Sequence, residues 1–110
     1  MLIEYANANI RNLCLNPKKY GIKNGLPNKI VNELQIVLSI MHEMESCQDF
    51  FKPANIPYRL EKLTNKKGLM SIRLDNKYRL TFYEINHEEK LSYVEIKGIE
   101  IEKVSIHYGD

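Results

Sequence analysis

The spacing of the apolar residues changes halfway along the chain, and this change most constrains the fold. In the first half, apolar residues recur every three or four positions, at Ile30, Leu34, Val37, Met41 and Met44. That spacing predicts a long helix over about residues 27–46. After residue 58, apolar and polar residues alternate, as they do in half-buried strands. Helices followed by strands indicate an α+β fold with an antiparallel sheet.

Helix-breaking residues and turn residues predict where the other helices and strands begin and end. Asn16 precedes a proline and is expected to end a first helix over residues 6–15. A basic connector over 18–24 follows, and two prolines mark residues 47–58 as a loop. Strands are predicted at 2–5, 58–63, 69–74, 78–83, 91–96 and 99–107, with a break at Gly98. The prediction is a single domain over residues 1–110, with two N-terminal helices packed on a twisted antiparallel β-sheet.

Length and composition fit one globular domain. The 110 residues are 44% hydrophobic and 27% charged, which excludes a wholly disordered chain. The sequence contains no run of about 18 apolar residues, the length that a membrane-spanning helix needs. Its first residues lack the pattern of a secretory signal. Cys14 and Cys47 are therefore expected to be buried free thiols in a reducing compartment. We expect a cytoplasmic protein with no membrane partner.

Charge is nearly balanced overall but is unevenly distributed. Residues 59–79 carry seven basic and two acidic side chains, whereas residues 80–110 carry three basic and seven acidic ones. This asymmetry indicates a polyanion site in the middle of the chain.

Two arginines flank a tight turn predicted at residues 75–77. Alternation along the two strands is expected to bring Arg73 and Arg79 onto one face of the sheet. Adjacent guanidinium groups repel each other unless an anion bridges them, and their planar forks fit phosphate oxygens. Four nearby lysines are candidates to contact a phosphate backbone: Lys62, Lys66, Lys67 and Lys77. The alternative is a surface salt-bridge network with acids such as Glu61 or Glu95.

The last predicted strand carries residues that can transfer a proton. If Val104 and Ile106 face the core, Ser105 and His107 lie on the opposite face. Histidine is a ready proton donor or acceptor near neutral pH, and Tyr108 adds a hydroxyl and a ring that can stack on a base. The alternative is that these residues form a frayed terminus.

No familiar catalytic signature occurs, neither a phosphate-binding glycine loop nor a metal-binding HExxH motif. Residues 60–82 nevertheless resemble the central signature of HigB-type toxins in the RelE/ParE superfamily. The residues that carry this resemblance are Lys67-Gly68, Ser71-Ile72-Arg73 and Tyr78-Arg79-Leu80-Thr81-Phe82. Residues 3–7 and 104–108 are similar to the two ends of the same family.

The resemblance implies a fold and an activity. HigB-like toxins are small cytoplasmic α+β proteins with two helices on a twisted antiparallel sheet. They belong to type II toxin–antitoxin systems and cleave mRNA on the ribosome, which inhibits translation and growth. They use no metal and no cofactor. A cognate HigA-like antitoxin, a helix-turn-helix protein, neutralises them, and the complex binds operator DNA through the antitoxin.

The resemblance also implies roles for particular residues. Arg73 and Arg79 would hold the scissile phosphate and stabilise its developing charge. His107 would act as a general acid or base, and Tyr108 would stack on or position the substrate. The RNA backbone would contact the four lysines Lys62, Lys66, Lys67 and Lys77.

The sequence departs from the family pattern at three points. Glu61 stands where the family has a histidine, two residues before the turn leucine Leu63. Thr64 replaces the lysine that follows this leucine, and Asp110 lies beyond the C-terminal pair. Two other functions stay open: a ParE-like protein that poisons DNA gyrase by binding alone, and a catalytically degenerate member that only binds an antitoxin.

Overall fold

A computed structural model describes residues 1–106 and shows a mixed α+β protein, which confirms the predicted class. Within these residues, the α-helices are α1 (Ala8–Leu15), α2 (Pro17–Tyr20) and α3 (Asn28–Glu43). Their single sheet comprises β1 (Leu2–Tyr5), β2 (Glu61–Lys62), β3 (Leu69–Arg73), β4 (Tyr78–Glu84) and β5 (Gly98–Ile106). Short 3-10 helices lie at Cys47–Phe51, Pro53–Tyr58 and Tyr93–Glu95.

Both predicted helices form, and a one-turn helix lies between them. Asn7 begins α1, because its Oδ1 accepts the backbone N–H of Ile10 at 3.0 Å. Asn16 ends α1 and also begins α2, where its side chain accepts the N–H of Lys19. Pro17 suits the first helical position, since its missing N–H costs nothing there. The start of the predicted connector is therefore helical.

The core lies between the helices and one face of the sheet. On α3 the predicted stripe is at most 1% exposed at Ile30, Leu34, Val37 and Met41. The sheet residues of the same cluster are fully buried: Ile72, Leu80, Phe82, Ile99 and Ile101. Alternation sends the neighbouring strand residues to the other side. We call that side, which carries Ser71, Arg73, Arg79, Thr81 and Tyr83, the polar face.

The sheet is mixed, so the prediction of a purely antiparallel sheet is wrong. The strand order is β1-β5-β4-β3-β2, and β1 runs parallel to β5 while the other neighbours are antiparallel. In this register Ile3 lies beside Ile99 and Tyr5 beside Ile101, which extends the apolar face. Alternation within residues 2–5 predicts a strand, but it carries no information about the partner or its direction.

The predicted strand over 91–96 is also wrong, because a 3-10 helix at Tyr93–Glu95 occupies this segment. The carboxylate of Glu95 accepts the hydroxyl and the backbone N–H of Ser92, at 2.7 and 3.0 Å. These two hydrogen bonds hold the pKa of Glu95 below its usual value. The resulting capping box supplies local bonds that outweigh the strand propensity of Tyr93 and Val94.

Strand β2 is shorter than the predicted range 58–63. The preceding 3-10 helix runs through Tyr58, and Arg59 has a left-handed φ of 50°. A residue in that conformation ends a helix and does not continue a strand. Gly98, predicted as a break, is instead the first residue of β5.

Both cysteines are buried free thiols, as predicted. Burial raises the pKa of Cys14 and of Cys47 to about 12, so the reactive thiolate is scarce at neutral pH. No helix among residues 1–106 combines the length and apolar character needed to span a bilayer.

Candidate phosphate-binding site

Arg73 and Arg79 lie opposite each other in the β3–β4 hairpin. They are register partners, and directly opposed residues of an antiparallel pair project from the same face of the sheet. The prediction that these arginines share one face is therefore confirmed. Side chains at such positions start about 5 Å apart at Cβ, so both guanidinium groups are within reach of one anion on this face.

The backbone of the hairpin turn holds Arg79. The residue is 8% exposed, and its Nη1 donates to the carbonyl oxygens of Asp75 and Tyr78, at 2.9 and 3.2 Å. These two bonds restrict the orientation of the guanidinium group. The charge is therefore fixed in place before any ligand binds, which is the property that electrostatic catalysis requires.

Arg73 offers a donor that the described residues do not satisfy. Its Nε is buried and has no hydrogen-bond partner within residues 1–106. A buried donor without an acceptor destabilises a fold by about 1–3 kcal/mol, and an anion oxygen would supply the acceptor. Arg73 also lines a cleft of about 270 Å³, which lies beside Lys29 and Glu33 of α3.

Asp75 closes the turn between the two arginines. Its Oδ1 accepts the backbone N–H of Tyr78 at 2.7 Å and that of Lys77 at 2.8 Å. These bonds, with smaller contributions from the charges of Lys29 and Arg79, hold the pKa of Asp75 below its usual value. Asp75 is thus ionised at neutral pH, where it fixes the turn that positions both arginines.

Lys66 lies over the centre of the polar face. The Thr81 hydroxyl donates to the Glu102 carboxylate at 2.8 Å, and Lys66 Nζ lies 4.0 Å from the other carboxylate oxygen. A register shift between β4 and β5 occurs at this point, between Thr81 and Phe82. Lys66 is therefore paired with an acid, although not with either acid named in the predicted network.

The other three candidate lysines do not cluster around the arginine pair. Lys67 is exposed in the β2–β3 loop, and Lys77 is exposed at the hairpin turn. Lys62 is the register partner of Met70, which places it on the face opposite the arginines. Its Nζ donates to the carbonyl of Leu91 at 2.8 Å and lies 4.8 Å from the centre of the Tyr93 ring. The structure therefore separates Lys62 from the arginine pair.

A second cluster on the polar face joins residues that the sequence analysis does not connect. The rings of Tyr83 and His87 stack, with centroids 4.7 Å apart and planes inclined by 24°. The Nε2 of His87 lies 3.4 Å from Oε2 of Glu100, and His87 has a positive φ of 56°. The sequence marks His87 as a turn residue only, since no motif or spacing connects it with Tyr83 or Glu100.

The predicted proton-transfer residue His107 and its neighbour Tyr108 lie outside the described residues. Just before them, Ser105 is the register partner of Arg79. Ser105 thus lies on the polar face, as predicted.

Comparisons with known proteins identify no relative. No family model, curated protein or solved structure matches the chain. Within residues 1–106, no group of three or more His, Cys, Asp or Glu side chains is placed to hold a metal ion. The arginine pair and the unpartnered Nε of Arg73 instead form a site suited to an anion with several oxygens, such as a phosphate.

Proposed function

We propose that the protein is the toxin of a type II toxin–antitoxin system and cleaves mRNA on the ribosome as a metal-independent endoribonuclease. The observation that carries the proposal is the alignment of Arg73 with Arg79 on one face of the sheet. The Nε of Arg73 is buried there and has no hydrogen-bond acceptor within residues 1–106. The resemblance of residues 60–82 to HigB-type toxins supplies the substrate class. Helices on one face of a sheet and a polar opposite face support a RelE/ParE-like fold.

The proposed reaction needs positioning and charge stabilisation more than a special nucleophile. The 2′-hydroxyl oxygen upstream of the scissile bond attacks phosphorus while the bond to the 5′ oxygen breaks. A base accepts the hydroxyl proton, an acid protonates the leaving oxygen, and the products are a 2′,3′-cyclic phosphate and a 5′-hydroxyl. Arg73 and Arg79 stabilise the charge that grows on the non-bridging oxygens. By the resemblance, His107 takes one of the proton-transfer roles and Tyr108 positions the substrate.

The remaining parts of the proposal follow from surface charge and from the same resemblance. Lys66, Lys67 and Lys77 lie in the two loops that flank β3, where they would contact the RNA backbone on either side of the scissile phosphate. Lys62, on the opposite face, would contact RNA only outside this track. In a cytoplasmic setting, a HigA-like antitoxin would neutralise the protein and bring it to operator DNA.

Glu61 favours a second candidate function, a degenerate member that binds an antitoxin without cleaving RNA. Glu61 is exposed and is the register partner of Ser71. It therefore lies on the polar face beside β3, the strand that carries Arg73. A carboxylate at this position repels phosphate, whereas the histidine of the HigB pattern would attract it or transfer a proton.

The proposal is tested by inducing the chain without an antitoxin and mapping mRNA 5′ ends within minutes. We expect growth arrest and new ends at fixed positions within codons. Arg73→Ala and Arg79→Ala should each lower the cleavage rate by about 10²–10³-fold, the usual effect of removing one charge-stabilising donor. Arg11→Ala, an exposed arginine of α1, is the matched control and should cleave normally.

Other outcomes assign other functions. Full cleavage by both hairpin variants would contradict the site. Growth arrest with intact mRNA and with DNA breaks that depend on gyrase would indicate a ParE-like poison. Normal growth with soluble, folded protein would favour the degenerate antitoxin-binding member.

A further inference from the structure

The Tyr83–His87 stack is built as a fixed, partly exposed ring platform. The His87 side chain is 53% exposed, although one of its ring faces lies against Tyr83. The Glu100 carboxylate, 3.4 Å from Nε2, orients the imidazole. A ring held from two sides loses little conformational entropy when a third flat group stacks on it.

The platform shares a face and a strand with the arginine pair. Arg79 and Tyr83 are four residues apart on β4, so both side chains project from the polar face. Four residues of strand span about 13 Å. A single nucleotide does not cover this distance, so a base on the platform would not be one of the two that flank the scissile phosphate.

Charge around the platform determines where an RNA backbone could run. Glu4 and Glu100 are register partners on β1 and β5, and they would repel phosphate from that side. On the other side, a Cβ added at Gly68 would come within 3.5 Å of the Glu89 side chain and 3.8 Å of the Tyr83 ring, which places the β2–β3 loop beside the platform and one acid next to both. That loop carries the exposed Lys66 and Lys67. An RNA backbone that follows the β2–β3 loop would direct its bases toward the rings of Tyr83 and His87.

We propose that Tyr83 and His87 form a nucleobase-stacking subsite, which binds an unpaired base of the RNA substrate more than one nucleotide away from the cleavage point. The inference rests on the proposed function, because it takes single-stranded RNA as the ligand. Aromatic rings on a sheet are an effective platform for unpaired bases. The Glu100 carboxylate, 3.4 Å from Nε2, serves as a positioning contact, which holds the imidazole against Tyr83.

The test measures RNA binding separately from cleavage. The probes are 2′-O-methyl RNA oligonucleotides, which cannot be cleaved, each with one 2-aminopurine at a different position. We expect the fluorescence of one probe, with its 2-aminopurine away from the cleavage point, to be quenched by stacking. His87→Asn should abolish this quenching and raise the Kd at least about 5-fold, since stacking contributes about 1–3 kcal/mol per base. Asparagine is chosen because it tolerates the positive φ of His87.

Matched variants separate stacking from folding. Tyr83→Phe keeps the ring and should quench like the wild type, whereas Tyr83→Leu should behave like His87→Asn. Asn86→Ala, an exposed change in the same turn, should have no effect. All variants should keep the thermal stability of the wild type within a few degrees, and the control variants Tyr83→Phe and Asn86→Ala should cleave RNA at the wild-type rate.

The outcomes distinguish failure of the subsite from failure of the proposed function. Quenching and affinity that survive in His87→Asn, while Arg73→Ala still loses cleavage, would overturn the platform alone. A wild-type protein that neither binds nor cleaves RNA would overturn both.

Discussion

The two ends of the polar face are constructed in different ways. At the hairpin end, the turn backbone holds Arg79, and Asp75 accepts two backbone N–H groups. At the other end, Tyr83 and Glu100 are register partners on β4 and β5, and only side-chain contacts relate them to His87, which lies in a loop. The hairpin end therefore contributes to the stability of the fold, whereas the ring end is available for recognition at little structural cost.

Among changes at the two ends of the polar face, Arg79→Ala is expected to lower the free energy of unfolding most. This change removes the hydrogen bonds that a charged group donates to the turn backbone and buried side-chain packing, so the free energy of unfolding should fall by about 2–3 kcal/mol. His87→Asn should change it by less than about 0.5 kcal/mol, because the side chain is largely exposed. Urea denaturation of both variants measures the difference, and equal losses would refute the contrast.

A smaller effect is expected at Asp75, with a defined dependence on pH. Asp75→Ala should lower the free energy of unfolding by about 1–2 kcal/mol at pH 7, because two turn N–H groups lose a charged acceptor. The folded pKa of Asp75 lies below its unfolded value. Its contribution is therefore complete above the unfolded value, near 3.9, and is lost as the pH falls through the folded value.

Measurements of the free energy of unfolding at decreasing pH test this contribution. Asp75→Asn keeps an oxygen acceptor but not the charge, so the gap between wild type and this variant should narrow as the pH falls below about 4. A gap that stays constant down to pH 2 would show that the carboxylate charge does not stabilise the turn.

The smallest effect is expected from Glu100→Gln. The contact between the Glu100 carboxylate and the His87 imidazole is partly exposed, and even a fully charged pair of this kind contributes only about 0–1 kcal/mol. Stability should change within that range, and the difference should shrink further at high salt. A loss above about 2 kcal/mol would mean that the ring end, like the hairpin end, supports the fold.

Local interactions account for what the sequence predicts. The hairpin register that aligns Arg73 with Arg79 follows from a short turn and alternating strands, and the stripe of α3 follows from helical spacing. The parallel pairing of β1 could not be predicted, because it depends on the position of β5, far away in the chain. The face of Lys62 and the contact between His87 and Glu100 likewise depend on packing between distant segments.

The position of β5 has a consequence for the order of folding. This strand lies between β1 and β4 but follows both of them in the chain. During synthesis, at about 5–20 residues per second, the sheet lacks a strand from its interior until β5 emerges from the ribosome. An incomplete chain that stops before residue 98 leaves β1 without its neighbour and β4 with an open edge. We expect such nascent fragments to lack a folded arginine site, so that any activity begins only after β5 has been translated.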